Sequence, residues 1–270
     1  LIEALQLLTA GQSFRHPTSV ELVRNGAGAA RLDLHLEGDG RRVDCGLSAE
    51  EGKRTFFRNG KKVRASGVRG VVPSVLFCPD HLDMIKRSAS YRRAALDDFG
   101  VQLNEQYAHL VSTYARCVEQ RNTLLKEGYA ARELLSAWDD ALVTAGSQLV
   151  MHRLALLARI REHMVDVYGT IAPNERVDIR YHASIGDAAR TARDRDTLVA
   201  LFRKRLDEVA DDELRRGQTL VGPHRDEAVF TIDGRDARSF ASQGQQRSLV
   251  LAWKISEVLV TRDILDRYPM

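Results

Sequence analysis

No Gly-x-x-x-x-Gly-Lys-Ser/Thr string occurs anywhere in the 270 residues. Gly52-Lys53 and Gly60-Lys61 come nearest, but Leu47 and Thr55 stand where the earlier glycine is needed, and Arg54 and Lys62 replace the hydroxyl. Converging N–H groups and a hydroxyl on magnesium require that spacing, so neither pair can cradle a phosphate. Cysteine is scarce: Cys45, Cys78 and Cys117 are far apart and odd in number. They lack metal-ligand spacing and read as the reduced thiols of a cytoplasmic protein, not as a disulfide framework. No metal site is therefore expected. No run approaches the roughly 18 apolar residues of a membrane span, and there is no secretory leader, so no membrane partner is expected either. No Ser-His-Asp or Cys-His arrangement can be defended from the residue order. Charge of one sign is not in great excess, and a net +3 permits nucleic-acid binding without requiring it. With 44% hydrophobic and 29% charged residues, the chain reads as soluble, globular and long enough to bury a core.

What the chain does carry is Ser239-Phe240-Ala241-Ser242-Gln243-Gly244-Gln245-Gln246-Arg247, directly ahead of a long apolar run. Ser242-x-x-Gln245 is a capping box, in which the serine caps a helix and Gln245 bonds back to the cap residue's N–H. The same segment has a second reading. A helix start offers unpaired N–H groups and the positive end of a dipole, and Gly244 lets an anion approach the backbone. Capping boxes are the commoner origin of such a string, but a capped helix start can still face a phosphate.

Along the chain, residues 1–10 read as a short apolar helix stopped by Gly11. Strands follow from Val20 to Val75: Ala30 to Leu36 alternates, and Asn59-Gly60 between Thr55-Phe56-Phe57 and Lys62-Val63 signals a hairpin. Gly26-Ala27-Gly28 reads as a turn. From Tyr91 to about Leu214 the period is helical. One stripe runs Leu103, Tyr107, Leu110, Tyr114, Cys117 and Leu124, interrupted by Arg121. A second runs from Leu135 through Leu142, Leu149, Leu156, Ile160 and Met164 to Val167, with Gly128 near the bend. Together they predict an antiparallel helical hairpin, followed by a third helix over Thr197–Leu214. After Gly217 the strands return at Ala228–Ile232, turn at Asp233-Gly234, and lead into a buried helix from Gln243 to about Leu265.

Basic residues supply a second candidate. Between Lys53 and Arg69 lie Arg54, Arg58, Lys61, Lys62 and Arg64 and no acid, with Phe56 and Phe57 alongside. Such a hairpin could track a phosphate backbone and stack unpaired bases, or it could be an edge strand kept unpaired by its charges. Arg92 and Arg93 read as partners of Asp97 and Asp98 one turn on. His224 has no metal-spaced partner and reads as structural, with Asp226 placed either to orient it or to pair with Arg225.

The order Ser242-x-Gly244-Gln245 ahead of a buried helix resembles the signature motif of ABC-type ATPases. The longer string Phe240 to Arg247 resembles that of the RecF family, the SMC-like recombination mediators of bacteria. Thr219-Leu220-Val221-Gly222-Pro223-His224-Arg225-Asp226 resembles the family's segment upstream of the signature. Leu76 to Leu82 and Ser90 to Asp97 resemble its junction between ATPase core and helical arm, and Leu1 to Arg15 the helix and loop after its phosphate loop. The resemblance implies an α/β fold: an incomplete ABC-type (P-loop NTPase-like) core over 1–88 and 215–270, with an α-helical arm inserted over 89–214.

It further implies a slow DNA-dependent ATPase of DNA repair, recombination, replication restart and the SOS response. ATP and Mg2+ would be its cofactors, and ATP-dependent homodimers would form at single-stranded or gapped DNA. Other mediator proteins and a recombinase would be its partners. Ser242, Gly244 and Gln245 would act in trans on ATP held by a second subunit, with Ser242, Gln243 and Gly244 contacting the nucleotide. Arg15 matches a family arginine near the DNA-facing side, and with Lys61, Lys62 and Arg64 makes up the expected DNA contacts. Val75 stands near the position where many such ATPases carry a glutamine that contacts magnesium, which fits slow or regulatory hydrolysis. The chain begins at Leu1 and stops at Tyr268-Pro269-Met270, so we expect an internal segment, inactive alone. Two alternatives remain: a non-catalytic DNA-binding module on an ABC scaffold, or another SMC-like repair ATPase, against which the short arm argues.

Overall fold

The computed structural model describes residues 1–38, 41–128 and 132–270. By compactness the chain divides into two units, one of residues 1–81, 101–105 and 257–270, the other of residues 82–100 and 106–256.

In the first unit, α1 (Ile2–Ala10) ends at Gly11, whose φ of 68° closes the helix in the left-handed region. Four strands then form an antiparallel meander: β1 (Ala29–Gly38), β2 (Arg41–Glu50), β3 (Lys53–Arg58) and β4 (Lys61–Val63). β1 and β2 pair along their full length, from Ala29 opposite Glu50 to Gly38 opposite Arg41. Two-residue turns join the later strands, at Glu51-Gly52 (φ 49° and 74°) and at Asn59-Gly60 (φ 50° and 75°). Positive φ at both positions matches the twist of the flanking strands. The two glycine-lysine pairs that came nearest to a phosphate loop are thus hairpin turns. Leu7 and Leu8 of α1 join Cys45, Leu47, Ala49, Phe56 and Val68 in a core behind the sheet. Gly26-Ala27-Gly28 is a turn, as expected. The sequence string Gly38-Asp39-Gly40 signals a break after β1, and its last two residues lie outside the described residues.

The second unit is mainly helical. α2 (Ala89–Leu103) and α3 (Glu105–Glu127) are separate helices, and α4 (Arg132–Ile171) is 40 residues long. Arg121 of α3 meets Asp139 of α4, and Tyr107 lies edge-on to His152. Later residues of α3 therefore match earlier ones of α4, the expected antiparallel order. α5 (Arg195–Arg216) is capped by Asp194, which accepts from the Thr197 N–H, and closes at Gly217.

β5 (Val177–His182), β6 (Glu227–Ile232) and β7 (Arg235–Asp236) form a small antiparallel sheet. α6 (Ala237–Phe240) and α7 (Gln243–Leu265) follow. β5 corrects the expectation of an all-helical arm. Val177, Ile179 and Tyr181 are buried in strict alternation with Asp178, Arg180 and His182. Trp253 of α7 packs on Phe230 of β6 with ring centroids 5.6 Å apart, fixing the helix to the sheet.

One further expectation changes. Leu134–Ile171 contains an 18-residue window of mean hydropathy 1.3, apolar and long enough to cross a membrane by composition alone. Of that window 56% is buried, with Leu142, Val143, Leu149, Val150 and Leu157 packed inside the unit. Its apolarity is that of a core helix.

Candidate nucleotide half-site and basic hairpin

The start of α7 is built from the turn backwards. Asp236 caps the four-residue α6, Ala241 returns to extended backbone, and Ser242 opens α7. The Ser242 N–H donates to Gln245 Oε1 at 2.8 Å, and the Gln245 N–H donates to Ser242 Oγ at 3.2 Å, completing the capping box. Gln246 is buried and its side-chain amide donates to the Ala241 carbonyl at 2.8 Å, locking the entry to the helix. Gln245 is held from outside as well, because its amide donates to Glu175 Oε1 at 2.9 Å. The other Glu175 oxygen accepts from the Tyr168 hydroxyl at 2.5 Å.

Ser242, Gln243 and Gly244 themselves are exposed. A Cβ built on Gly244 would meet nothing closer than Ser242 Oγ at 3.8 Å, so the backbone there is open to an approaching group. The Ser242 hydroxyl keeps its proton to donate, and the N–H groups of Gln243 and Gly244, at the helix start, have no partner within the helix. These are the features a phosphate oxygen needs, and the four expected residues are brought together at one helix start. A donor set for Mg2+ is another matter. Among the described residues no three His, Cys, Asp or Glu side chains could share an ion.

The Thr219–Asp226 segment upstream is a latch inside the second unit. His224 is mostly buried; its Nδ1 accepts from the Tyr114 hydroxyl at 2.7 Å, and its Nε2 donates to the Thr219 carbonyl at 3.1 Å. Burial pushes its pKa down to about 4, and Arg225 and Arg93 add to that. The imidazole is neutral and fully bonded, a structural group. Asp226 neither orients His224 nor pairs with Arg225. It is buried and accepts from the Tyr181 hydroxyl and from Ser184 N–H and Oγ, each at 2.7 Å. Arg153 ties the same network to Asp97, at 2.7 Å, and to the Pro223 carbonyl.

The arginine pair is likewise corrected. Arg92 bonds to Glu227 and to the carbonyls of Met84, Ile85 and Arg87. Arg93 bonds to the Asp226 carbonyl. Asp97 is already engaged by Arg153 and Tyr107. The role is structural, as expected, with different partners. Glu175 is not signalled by the sequence because it reaches Gln245 across 70 residues, and the partners of Asp226 are hidden by the same kind of separation.

In the first unit, the basic run sorts into two groups. Arg58 bonds to the Gly67 carbonyl and Glu105, Arg54 to the Pro17 carbonyl and Arg69 to Gln12. Lys61, Lys62 and Arg64, on β4 and just beyond, are exposed and make no ion pair among the described residues. Phe56 belongs to the core at 6% exposure and cannot stack a base, contrary to expectation; Phe57 is half-buried. Arg15 is exposed in the loop after α1, its guanidinium 5.6 Å from the Phe14 ring.

No family model matches the chain. A DNA replication and repair protein RecF from Heliobacterium modesticaldum is 33% identical over 276 residues, spanning 100% of this chain and 73% of the relative. The chain belongs to the RecF family. A RecF from Thermomicrobium roseum is 34% identical over 298 residues, covering 100% of the chain and 75% of that relative. A solved structure of the recombination mediator protein RecF-ATP in the RecFOR pathway superposes with a TM-score of 0.91 at 26% identity, over 99% of this chain and 74% of that one. A second, of RecF-ATPrS, gives 0.90 at 27% identity, over 99% of this chain and 73% of that one. The fold is that of RecF, an ABC-type ATPase, as the signature string implied.

Proposed function

We propose that the intact protein is an ATP-binding repair ATPase of the RecF type whose Ser242–Gln245 segment completes a nucleotide pocket on a second copy of the chain. One observation carries this. The helix start is pinned from behind by Glu175, while Ser242 and Gly244 are left open in front. Preorganised N–H and O–H donors of this kind stabilise the charge that phosphoryl transfer spreads over the terminal oxygens. Bound ATP would supply that phosphate. Ser242 would donate to its γ-oxygen, the Gly244 backbone would admit close approach, and Gln245 would hold the loop in shape. ATP-bound RecF structures support the cofactor, and Mg2+ would accompany the nucleotide.

In this reading 1–88 with 215–270 form the ATPase core, and 89–214 the inserted arm. Lys61, Lys62, Arg64 and Arg15 contact duplex, gapped or single-stranded DNA. The protein works in the cytoplasm with other mediators to help load a recombinase, and hydrolysis is slow, in keeping with Val75. The segment alone, without a phosphate loop, is inactive. That same lack favours the second reading, a DNA-binding module without turnover.

Ser242→Arg in the full-length protein separates the two. It is expected to abolish ATP-dependent dimers in sedimentation while ATP still binds the monomer. Dimers that survive the substitution would remove the trans role.

A further inference from the structure

A cavity of about 380 Å³ lies in the second unit, lined by Leu154, Leu157 and Ala158 of α4, Ile179 of β5, and the charged groups Arg161, Asp178, Arg180 and Arg190 around them. We propose that it is a docking site for an extended, acidic peptide segment that carries an apolar side chain.

The strand comes first. Among the described residues β5 pairs with β6 alone, from Val177 opposite Ile232 to His182 opposite Glu227. The cavity is lined by residues from both faces of β5, Asp178 and Arg180 as well as Ile179 and Tyr181, together with α4, and by none of β6. The Ile179 N–H is taken by the carboxylate of its neighbour Asp178 at 2.9 Å rather than by another strand. A side chain that covers an edge amide in this way can yield it to an incoming carbonyl, as in recognition by strand addition.

Charge selects the sign of the occupant. Arg161 and Arg180 both bond to Asp178, at 2.5 and 2.8 Å, and their side chains are 53% and 60% exposed. Arg190, on the one-turn helix Asp187–Thr191, is exposed and has no ion pair among the described residues. Three guanidinium groups thus face one carboxylate. An acidic segment would find two of them already ordered by Asp178 and a third unpaired, in the planar geometry that suits carboxylates.

Shape selects peptide over nucleic acid. The floor is aliphatic, and the one aromatic group in the lining, Tyr181, is fully buried with its hydroxyl committed to Asp226. The lining offers no exposed aromatic ring for a base to stack on. An aliphatic hollow beside a strand edge instead suits a peptide backbone with one side chain turned inward. This site is independent of the nucleotide half-site.

The test uses the full-length protein and a short fluorescein-labelled peptide alternating aspartate and leucine, read by anisotropy. Binding is expected, with at least about a tenfold loss of affinity in Arg180→Ala combined with Arg190→Ala. A peptide alternating aspartate and serine should bind several-fold more weakly. Both arginines are exposed, so an unchanged thermal melt is expected to accompany the loss. Three results would overturn the proposal: no binding by the wild type, equal binding by the double variant, or a short single-stranded oligonucleotide that binds more tightly than the peptide and loses that binding in the same variant. The last outcome would make this surface a nucleic-acid contact.

Discussion

The Gln245 side-chain amide donates to the Glu175 carboxylate at 2.9 Å, across 70 residues of sequence. This places a group from the loop between α4 and β5 against the start of α7. The same carboxylate receives the Tyr168 hydroxyl, and burial, followed by that contact, raises the tyrosine pKa. Gln245 is therefore held on two sides, by Ser242 within the capping box and by Glu175 from without.

Glu175→Ala should leave the capping box formed but unanchored, with the Tyr168 hydroxyl and the Gln245 amide each short of a partner. The expected cost is about 1–3 kcal/mol of stability in urea unfolding. A larger relative loss is expected in ATP-dependent dimerisation. Glu175→Gln retains an acceptor for Gln245 and a donor for the Tyr168 oxygen, and should recover most of both. Dimerisation that follows stability alone across the two variants would show Glu175 to be a packing residue and not a positioning one.

Neutralising Lys61, Lys62 and Arg64 together as glutamines should lower the slope of log affinity for duplex DNA against log salt by about 3, since each lost phosphate contact removes close to one released counterion. All three side chains are exposed, so the melting temperature should hold. An unaltered slope would leave β4 as a charged edge strand protected from pairing.

Lowering the pH should weaken the fold through His224. Its folded pKa is about 4, against an ordinary value of 6.5. Between those values the unfolded chain takes up a proton that the folded chain refuses. Stability is thus complete above pH 6.5, falls as pH drops, and levels off below about 4. At pH 5 the loss should reach up to about 2 kcal/mol, read as a drop in the urea midpoint relative to pH 7. His224→Gln cannot titrate and should flatten that slope. If wild type and variant slopes coincide, another group governs the response.

Local patterns were legible where neighbours in sequence are neighbours in space. The α1 stop at Gly11, the Asn59-Gly60 hairpin, the capping box and the start of α7 at Gln243 all follow from spacing over a few residues. β5 was legible too, in the alternation from Val177 to His182, but the helical stripes on either side masked it. The carboxylate partner of Arg92, the donors to Asp226 and the outer anchor of Gln245 were not legible. Each lies 42 to 135 residues away, where identity depends on how α2, β5 and β6 come together. Phe56 beside a basic run looks like a stacking platform in one dimension, and only the pleat of β3 turns it inward.

Arg121 shows how such a long-range contact changes the meaning of a residue. It interrupts the apolar stripe of α3, yet it is among the buried residues of the unit. Nε bonds to Asp139 at 2.6 Å, Nη1 to Thr219 Oγ1 at 3.1 Å, and Nη2 lies 2.7 Å from Glu213. Glu213 is itself 0% exposed and also accepts the Leu220 N–H at 2.6 Å. Arg121→Leu would restore the stripe but strand the Glu213 charge, so we expect a loss of about 3–5 kcal/mol in urea unfolding rather than a gain. Adding Glu213→Leu removes the stranded charge and should recover part of that loss, with the remainder reflecting the orphaned Leu220 N–H. A single Arg121→Leu variant as stable as wild type would mean that the guanidinium contributes nothing net to the packing of α3, α4 and α5.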